Sequence, residues 1–315
     1  MKRAVVIPEI KYPFPGAISK HAKEANLITY NWSVSQKILD PLRLKNYDKQ
    51  KVGYLAARVH PTGDLEDIVL TSDFSLLFSM LDDYSDKVKN EMEFKLYIEE
   101  LLSIFQRGYT NSNDTLLSAW ADWWIRLKKV TIATWRERFI FDATKCFYTM
   151  IWEVGYRENN SSPSLQEYRI ERQFTVNNLM FDLAEKSNQN YVPNKIRDEK
   201  FYNTVESANK IVNWANDLVS LNKELEDGDA HNLVLRIQVE NNLTLNQAID
   251  KVYQMHNEEI VNYTRFEQEL LDTNNEFQHE LKHFTFGLRN CITGFLGWSE
   301  ESSRYKTSNV KEKIN

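Results

Sequence analysis

Three aspartates fall within five positions of the segment SMLDDYSDKVK: Asp82, Asp83 and Asp86. Carboxylates one helical turn apart suit Mg²⁺, a hard ion that takes oxygen ligands and keeps its remaining positions for water or phosphate. Stepping back by fours from Asp86 gives Asp82, Phe78 and Phe74, and each step advances about 40° around a helix axis and about 6 Å along it. One stripe therefore runs aromatic, aromatic, acid, acid, from an interior toward a rim. A solvated helix face has no reason to continue an aromatic stripe into carboxylates. A chance Asp-Asp-x-x-Asp is expected roughly 0.06 times in a chain of this aspartate content, and about once when Glu is admitted, so a second site must decide.

That second site lies in NWANDLVSLNKELEDG, where Asn216, Ser220 and Glu224 recur at every fourth position. An amide oxygen, a hydroxyl and a carboxylate then share one helix face, and all three are hard donors for a second Mg²⁺. Val212 stands one turn earlier, so this stripe also climbs out of an apolar interior. A chance match to this pattern is expected only about 0.005 times. Two oxygen-rich faces, far apart in sequence, predict metal sites in place of ordinary solvated helix edges.

The elements that must position them read as helices. Nine glycines and seven prolines in 315 residues leave little strand-turn chemistry, and the single Asp-Gly, Asp227 and Gly228, follows a helical run. Ser72 reads as the cap of the helix carrying Phe74, Leu77, Phe78 and Leu81 inward. Ser164 with Glu167, after Pro163, and Thr244 with Gln247 have the spacing of capping boxes. TNSND and RENNSSPS read as inter-helix loops. No repeat or long linker divides the chain, which predicts one all-α domain over residues 1–315, of about ten or more helices. Residues 1–20 are expected to form an extended N-terminal segment.

Composition narrows the function. Charged residues make up 27% of the chain and the formal net charge is −6, which leaves no basic field for nucleic acid. An anionic small substrate then needs local Lys or Arg groups or bound cations. Two cysteines, Cys146 and Cys291, without metal-ligand spacing, and a start that lacks a signal-peptide core predict a reducing, cytoplasmic setting. The apolar run FSLLFSML is far too short for a membrane span. His231, in DAHNLV, reads as a structural or surface histidine, and Trp120, Trp123 and Trp124 as core or subunit-interface residues; a homodimer is compatible with such a surface.

The pair DDYSD at 82–86 and NDLVSLNKE at 216–224 resembles the two metal motifs of class I terpene synthases, in the microbial branch that has a single α domain. EYRIERQF resembles the family segment in which a tyrosine, here Tyr168, precedes a diphosphate-sensing arginine, here Arg172. GFLGWSEESSRY resembles the family's G-x-x-x-W followed by an Arg-Tyr pair, here Gly294, Trp298, Arg304 and Tyr305. The resemblance covers about residues 74 to 305. It implies the class I terpenoid synthase fold, a helical bundle around a central apolar cavity. It also implies a cofactor of Mg²⁺ as a trinuclear cluster, with Mn²⁺ as the alternative ion, held by Asp82, Asp86, Asn216, Ser220 and Glu224. Asp83 belongs to the same metal motif, in a supporting role that orients a basic group or water.

By the same resemblance, Arg172, Lys223, Arg304 and Tyr305 bind the diphosphate of an isoprenyl substrate, and residues 299–315 form a lid and tail. Phe74, Phe78 and Trp298 are the candidate aromatic wall for a carbocation. The family uses a backbone carbonyl four residues after the sensor arginine, often from glycine; here the position is Val176, so the helix break expected there has no glycine to make it. Farnesyl diphosphate is the favoured substrate and geranylgeranyl diphosphate the alternative. Two other functions remain open on the sequence: a chain-elongating prenyltransferase, expected to carry a second aspartate-rich box in place of Asn216, Ser220 and Glu224, and a non-catalytic helical lipid-binding or scaffold protein.

Overall fold

The computed structural model describes residues 5–187, 191–273 and 276–305. Thirteen α-helices and no strand occur among the described residues: α1 (Ala22–Gln36), α2 (Pro41–Gln50), α3 (Val52–Val59), α4 (Leu65–Ser85), α5 (Glu91–Arg107), α6 (Thr115–Lys129), α7 (Ala133–Glu158), α8 (Leu165–Glu171), α9 (Val176–Lys186), α10 (Glu199–Asp227), α11 (Leu233–Glu240), α12 (Leu245–Thr273) and α13 (Gln278–Glu301). Their starts follow from side chains that satisfy the first free N–H groups. Asp40, Asp64, Asn90, Asp114, Asp198 and Asn232 each accept from the first turn of the helix they open. Ser164 and Glu167 form the reciprocal capping box read from the sequence, and Thr244 with Gln247 makes the same exchange at the start of α12.

One boundary differs from the sequence reading. The helix carrying Phe74 begins at Leu65 under the Asp64 cap, two turns before Ser72. Ser72 is fully buried inside it and its hydroxyl donates to Thr29 Oγ1 at 2.8 Å. Thr29 in turn donates to Asp73 at 2.6 Å, and Asp73 pairs with Arg126 at 2.8 Å. Burial outweighs that arginine and pushes the Asp73 carboxyl up to about 6. This polar seam fixes the rear of α4 against α1 and α6, so a serine that mimics a cap is in fact a tertiary contact.

The opposite face of α4 carries the apolar stripe. Phe74 packs against Phe78, Trp120, Trp123 and Phe139, with ring centroids 5.3–6.1 Å apart. Trp120, Trp123 and Trp124 are fully buried, and the last two donate to backbone carbonyls of Leu70 and Phe105 at 2.9 Å. The three tryptophans of α6 are thus core residues. Phe139 of α7 lies at the Phe74 level, while Arg157, five turns on, lies near Asp86, so α7 and α4 run from the same core toward the same rim.

α13 lies against α3 and α9, and Gly294 is what permits the approach: a Cβ there would stand 2.9 Å from the Arg58 Cβ and 3.3 Å from its carbonyl carbon. α10 ends at Gly228, whose φ of 76° makes it a left-handed cap directly after the helical run. Residues 5–19 have no regular structure and cross α10 and α12. Asn222 of α10 clamps Val5 through both its N–H and its carbonyl, at 2.8 and 3.0 Å, and Tyr253 donates to the Glu9 carbonyl at 3.0 Å. Residues 1–4 of the expected N-terminal segment and 306–315 of the expected tail lie outside the described residues. Among the described residues no helix is long and apolar enough to cross a membrane.

Candidate active site

Side chains of α3, α4, α7, α9, α10 and α13 enclose a central cavity. Phe74, Phe78, Val176, Val212 and Trp298 line it, with Asp82, Arg172, Asn216, Arg304 and Tyr305 at its polar end. The inner parts of the two stripes, Phe74 to Asp82 and Val212 with Asn216, therefore open on one space, while Asp83, Asp86, Ser220 and Glu224 are not among the residues that line it. Two consecutive residues tie them together: Arg304 Nη2 donates to Asp82 on α4, and Asn216 Nδ2 of α10 donates to the Tyr305 hydroxyl at 3.0 Å. Tyr305 also packs edge-on against Trp298, centroids 5.9 Å apart, and Trp298 is anchored by its indole N–H to the Gln50 carbonyl at 2.8 Å.

The remaining candidates divide. Asp83 accepts from Arg43 at 2.7 Å, with Arg304 at 3.7 Å. Asp86 caps the end of α4, where Arg157 Nη1 lies 3.6 Å away. Ser220 is buried and donates to the Asn216 carbonyl at 2.7 Å, so its oxygen lone pairs stay available. Glu224 accepts from Asn232 Nδ2. Lys223 is not on the cavity wall; its Nζ pairs with Asp227 at 3.0 Å on the same helix. His231 is a structural histidine, buried and bonded to Asp229 at 2.8 Å.

The helix break before Val176 is present without glycine. α8 ends at Glu171 and α9 begins at Val176, with Thr175 extended at φ −116° and ψ 173°. Breaking a helix frees carbonyls that must find donors. α10 supplies them: Asn213 Nδ2 donates to the Arg172 carbonyl and Asn209 Nδ2 to the Gln173 carbonyl, each at 2.7 Å. Asn177 and Thr175 bond back to the oxygens of the same two amides. Side-chain amides thus do the work that conformational freedom would do at a glycine. Asn209 and Asn213 were missed in the sequence, although their i, i+4 spacing on the helix of Asn216 is a signal for a shared polar face.

Arg172 is held by Asp217 at 2.7 Å and Asn216 at 2.8 Å. Asp217 is fully buried and also accepts from Tyr168 Oη at 2.8 Å and the Leu233 N–H at 3.2 Å. Burial works most strongly against the Arg172 charge, but Asp217 together with Tyr168, Glu153 and Glu224 offsets it and holds the guanidinium above its usual range. Burial, then Asp82, pushes the Asp86 carboxyl up to about 7. Burial, then Asp217, pushes Glu224 up to about 8 against the hydrogen bond from Asn232. Both motifs thus hold carboxyls whose ionised form lacks sufficient compensation.

Among the described residues no three His, Cys, Asp or Glu side chains converge into a metal-binding group. The donors instead mix carboxylate, amide and hydroxyl oxygens across two helices, and arginines lie against the acids of α4. An all-oxygen set with under-compensated carboxyls fits a hard divalent cation and suits neither Cu(I) nor an iron–sulfur cluster.

Comparison with known proteins decides the family. The profile described as "Terpene synthase family 2, C-terminal metal binding" matches residues 73–261. The chain belongs to terpene synthase family 2. It is 30% identical over 310 residues to a (+)-T-muurolol synthase ((2E,6E)-farnesyl diphosphate cyclizing) of Roseiflexus castenholzii, covering 96% of this chain and 95% of that one. It is 27% identical to a germacrene A synthase of Nostoc punctiforme, over 96% and 95% of the two chains. The crystal structure of an α-eudesmol synthase superposes with a TM-score of 0.85 at 20% identity, covering 94% of this chain and 99% of that one. The all-helical class I terpene synthase fold expected from the sequence is the observed fold, and this terpene synthase family member is a terpene cyclase, a lyase acting on diphosphates. The prenyltransferase and scaffold alternatives are set aside.

Proposed function

We propose that this terpene cyclase ionises farnesyl diphosphate with a trinuclear Mg²⁺ cluster and closes the resulting carbocation into a sesquiterpene hydrocarbon or alcohol. The full-length relative that cyclises (2E,6E)-farnesyl diphosphate supports the chain length. The observation that carries the reading is the Arg304–Tyr305 bridge from Asp82 to Asn216 across the mouth of one apolar cavity.

In this reading Asp82 and Asp86 hold metal from α4, and Asn216, Ser220 and Glu224 hold it from α10. When bound, the cations neutralise the charge that grows on the diphosphate as its carbon–oxygen bond breaks. Arg172 and Arg304 donate to the diphosphate oxygens, and Asp217 fixes the direction in which Arg172 points. Asp83 orients Arg43 and Arg304 instead of binding metal itself. Tyr305, seated on Trp298, closes the polar end against water. Phe74, Phe78 and Trp298 present ring faces and edges to the hydrocarbon, and a desolvated ring face contributes about 2 kcal/mol toward a passing cation. Lys223, turned to Asp227, reaches the diphosphate only after that pair opens.

The test is incubation of the purified protein with C10, C15 and C20 isoprenyl diphosphates and Mg²⁺, with gas chromatography–mass spectrometry and an assay for inorganic diphosphate. The expected result is cyclised product and diphosphate release from the C15 substrate, abolished by chelation. Preferred turnover of the C20 substrate would correct the chain length. Consumption that requires added isopentenyl diphosphate would replace cyclisation by chain elongation.

A further inference from the structure

Beyond the rim of the cavity, Arg157 near the end of α7 stands among three carboxylates that differ in origin. Its Nη1 lies 3.6 Å from Asp86 of the α4 motif, 3.6 Å from Asp229 just beyond α10, and 4.0 Å from Glu153 one turn back on α7. Its Nη2 is 3.4 Å from the Ser85 carbonyl, and its buried Nε has no hydrogen-bond partner among the described residues. A settled arginine–carboxylate pair closes to about 2.8 Å, as Arg172 does with Asp217. Arg157 is centred between acids without being committed to one.

The three acids are not equivalent. Asp86 continues the stripe of Phe74, Phe78 and Asp82. Asp229 is fixed: its Oδ1 accepts from both the N–H and the ring Nδ1 of His231 at 2.8 Å, and the His231 ring lies edge-on to Trp152 and Tyr156 of α7. Only Asp229 Oδ2 is left to face Arg157. Glu153 lines the cavity and belongs to neither metal motif.

We propose that Arg157 is a resident counter-cation of the acidic rim, a positioning residue that releases Asp86 to the metal and is received by Glu153 and Asp229. The inference rests on the reading of Asp86 as a metal ligand. A divalent ion at Asp86 repels the guanidinium, and closing from 3.6–4.0 Å to a normal ion pair takes about 1 Å of movement. Glu153 thereby acts on the metal site through Arg157, from one helical turn away.

The experiment titrates the substrate-free protein with Mn²⁺ and follows free ion by electron paramagnetic resonance, with circular dichroism and Tm as controls of fold. Arg157→Gln removes the competitor, and Mn²⁺ binding tightens on the order of tenfold, the scale of one charge–charge term in partly solvated space. Glu153→Gln removes the receiver, keeps Arg157 on Asp86, and weakens Mn²⁺ binding by a factor of a few. The two changes have opposite signs, which a merely structural role for both residues does not give. Weaker binding in Arg157→Gln, or unchanged or tighter binding in Glu153→Gln, overturns the proposal; should Arg157→Gln not fold, Glu153→Gln decides alone. Asp86→Asn separates the two layers. If it lowers Mn²⁺ affinity while the other variants fail their signs, only this inference falls; if it leaves affinity unchanged, the reading of Asp86 as a ligand falls first.

Discussion

Asp82→Asn and Glu224→Gln each lower turnover by about two orders of magnitude or more, in kcat, while circular dichroism and Tm stay near the parent values. Each change keeps the shape of the side chain and removes a carboxyl that can carry one negative charge. Asp82 is partly exposed at the cavity's polar end, and Glu224 is held by Asn232 alongside the Asn216 face, so neither is a core residue whose loss collapses packing. On the proposed reading, what is lost is the anionic oxygen that would hold a divalent cation opposite a developing diphosphate charge. Removing one preorganised electrostatic partner of that kind costs about 3–4 kcal/mol of transition-state stabilisation. The effect belongs in kcat because that charge develops only as the carbon–oxygen bond breaks. Steady-state kinetics with farnesyl diphosphate across a Mg²⁺ series measures it; turnover within tenfold of the parent in either variant contradicts the assignment.

Asp217→Ala has the largest expected effect on stability. The Asp217 carboxylate is buried and takes three hydrogen bonds, from Tyr168, Arg172 and Leu233, while Asn232 bonds its backbone carbonyl at 2.7 Å. Deleting it leaves the Arg172 guanidinium, among the described residues, with the Asn216 oxygen as its one hydrogen-bond partner. Breaking one side of a buried ion pair costs about 3–5 kcal/mol, which at this chain length lowers Tm by about 10 °C. Asp217→Asn keeps acceptor capacity for Tyr168 and loses only the charge, so its Tm falls between the two. On the proposed reading turnover falls in both, because Arg172 would lose its bearing on the diphosphate. A Tm for Asp217→Ala within about 2 °C of the parent, by differential scanning calorimetry, sinks this account of the sensor arginine.

What the sequence revealed has a common physical character. The stripe from Phe74 to Asp86 and the face from Val212 to Glu224 are properties of single helices, where 3.6-residue periodicity alone decides which side chains share a side. Helix caps such as Ser164 with Glu167 and the stop at Gly228 are local in the same way. The partners that cross between helices were not legible. Arg43 on Asp83 and Arg157 beside Asp86 join residues 40 and 71 positions apart, and nothing in either segment marks one arginine over its neighbours as the partner. Lys223 illustrates the converse: its place in the motif suggested the diphosphate, while its i, i+4 neighbour Asp227 captures it. Ser72 shows how a capping residue type also serves a buried tertiary bond, here to Thr29. At Val176 the missing glycine mattered little, because the break is stabilised from α10 by Asn209 and Asn213 and not by its own backbone freedom.

On this reading α4 and α10 grip metal jointly across one cavity. Crystals grown with Mn²⁺ and inorganic pyrophosphate, and measured for anomalous scattering at the manganese edge, test it most directly. The account predicts manganese peaks at bonding distance, about 2.0–2.2 Å, from an Asp82 oxygen on one side and from the Asn216, Ser220 and Glu224 oxygens on the other, with pyrophosphate between them. Manganese bound to one helix alone, or at a place touching neither, would contradict it.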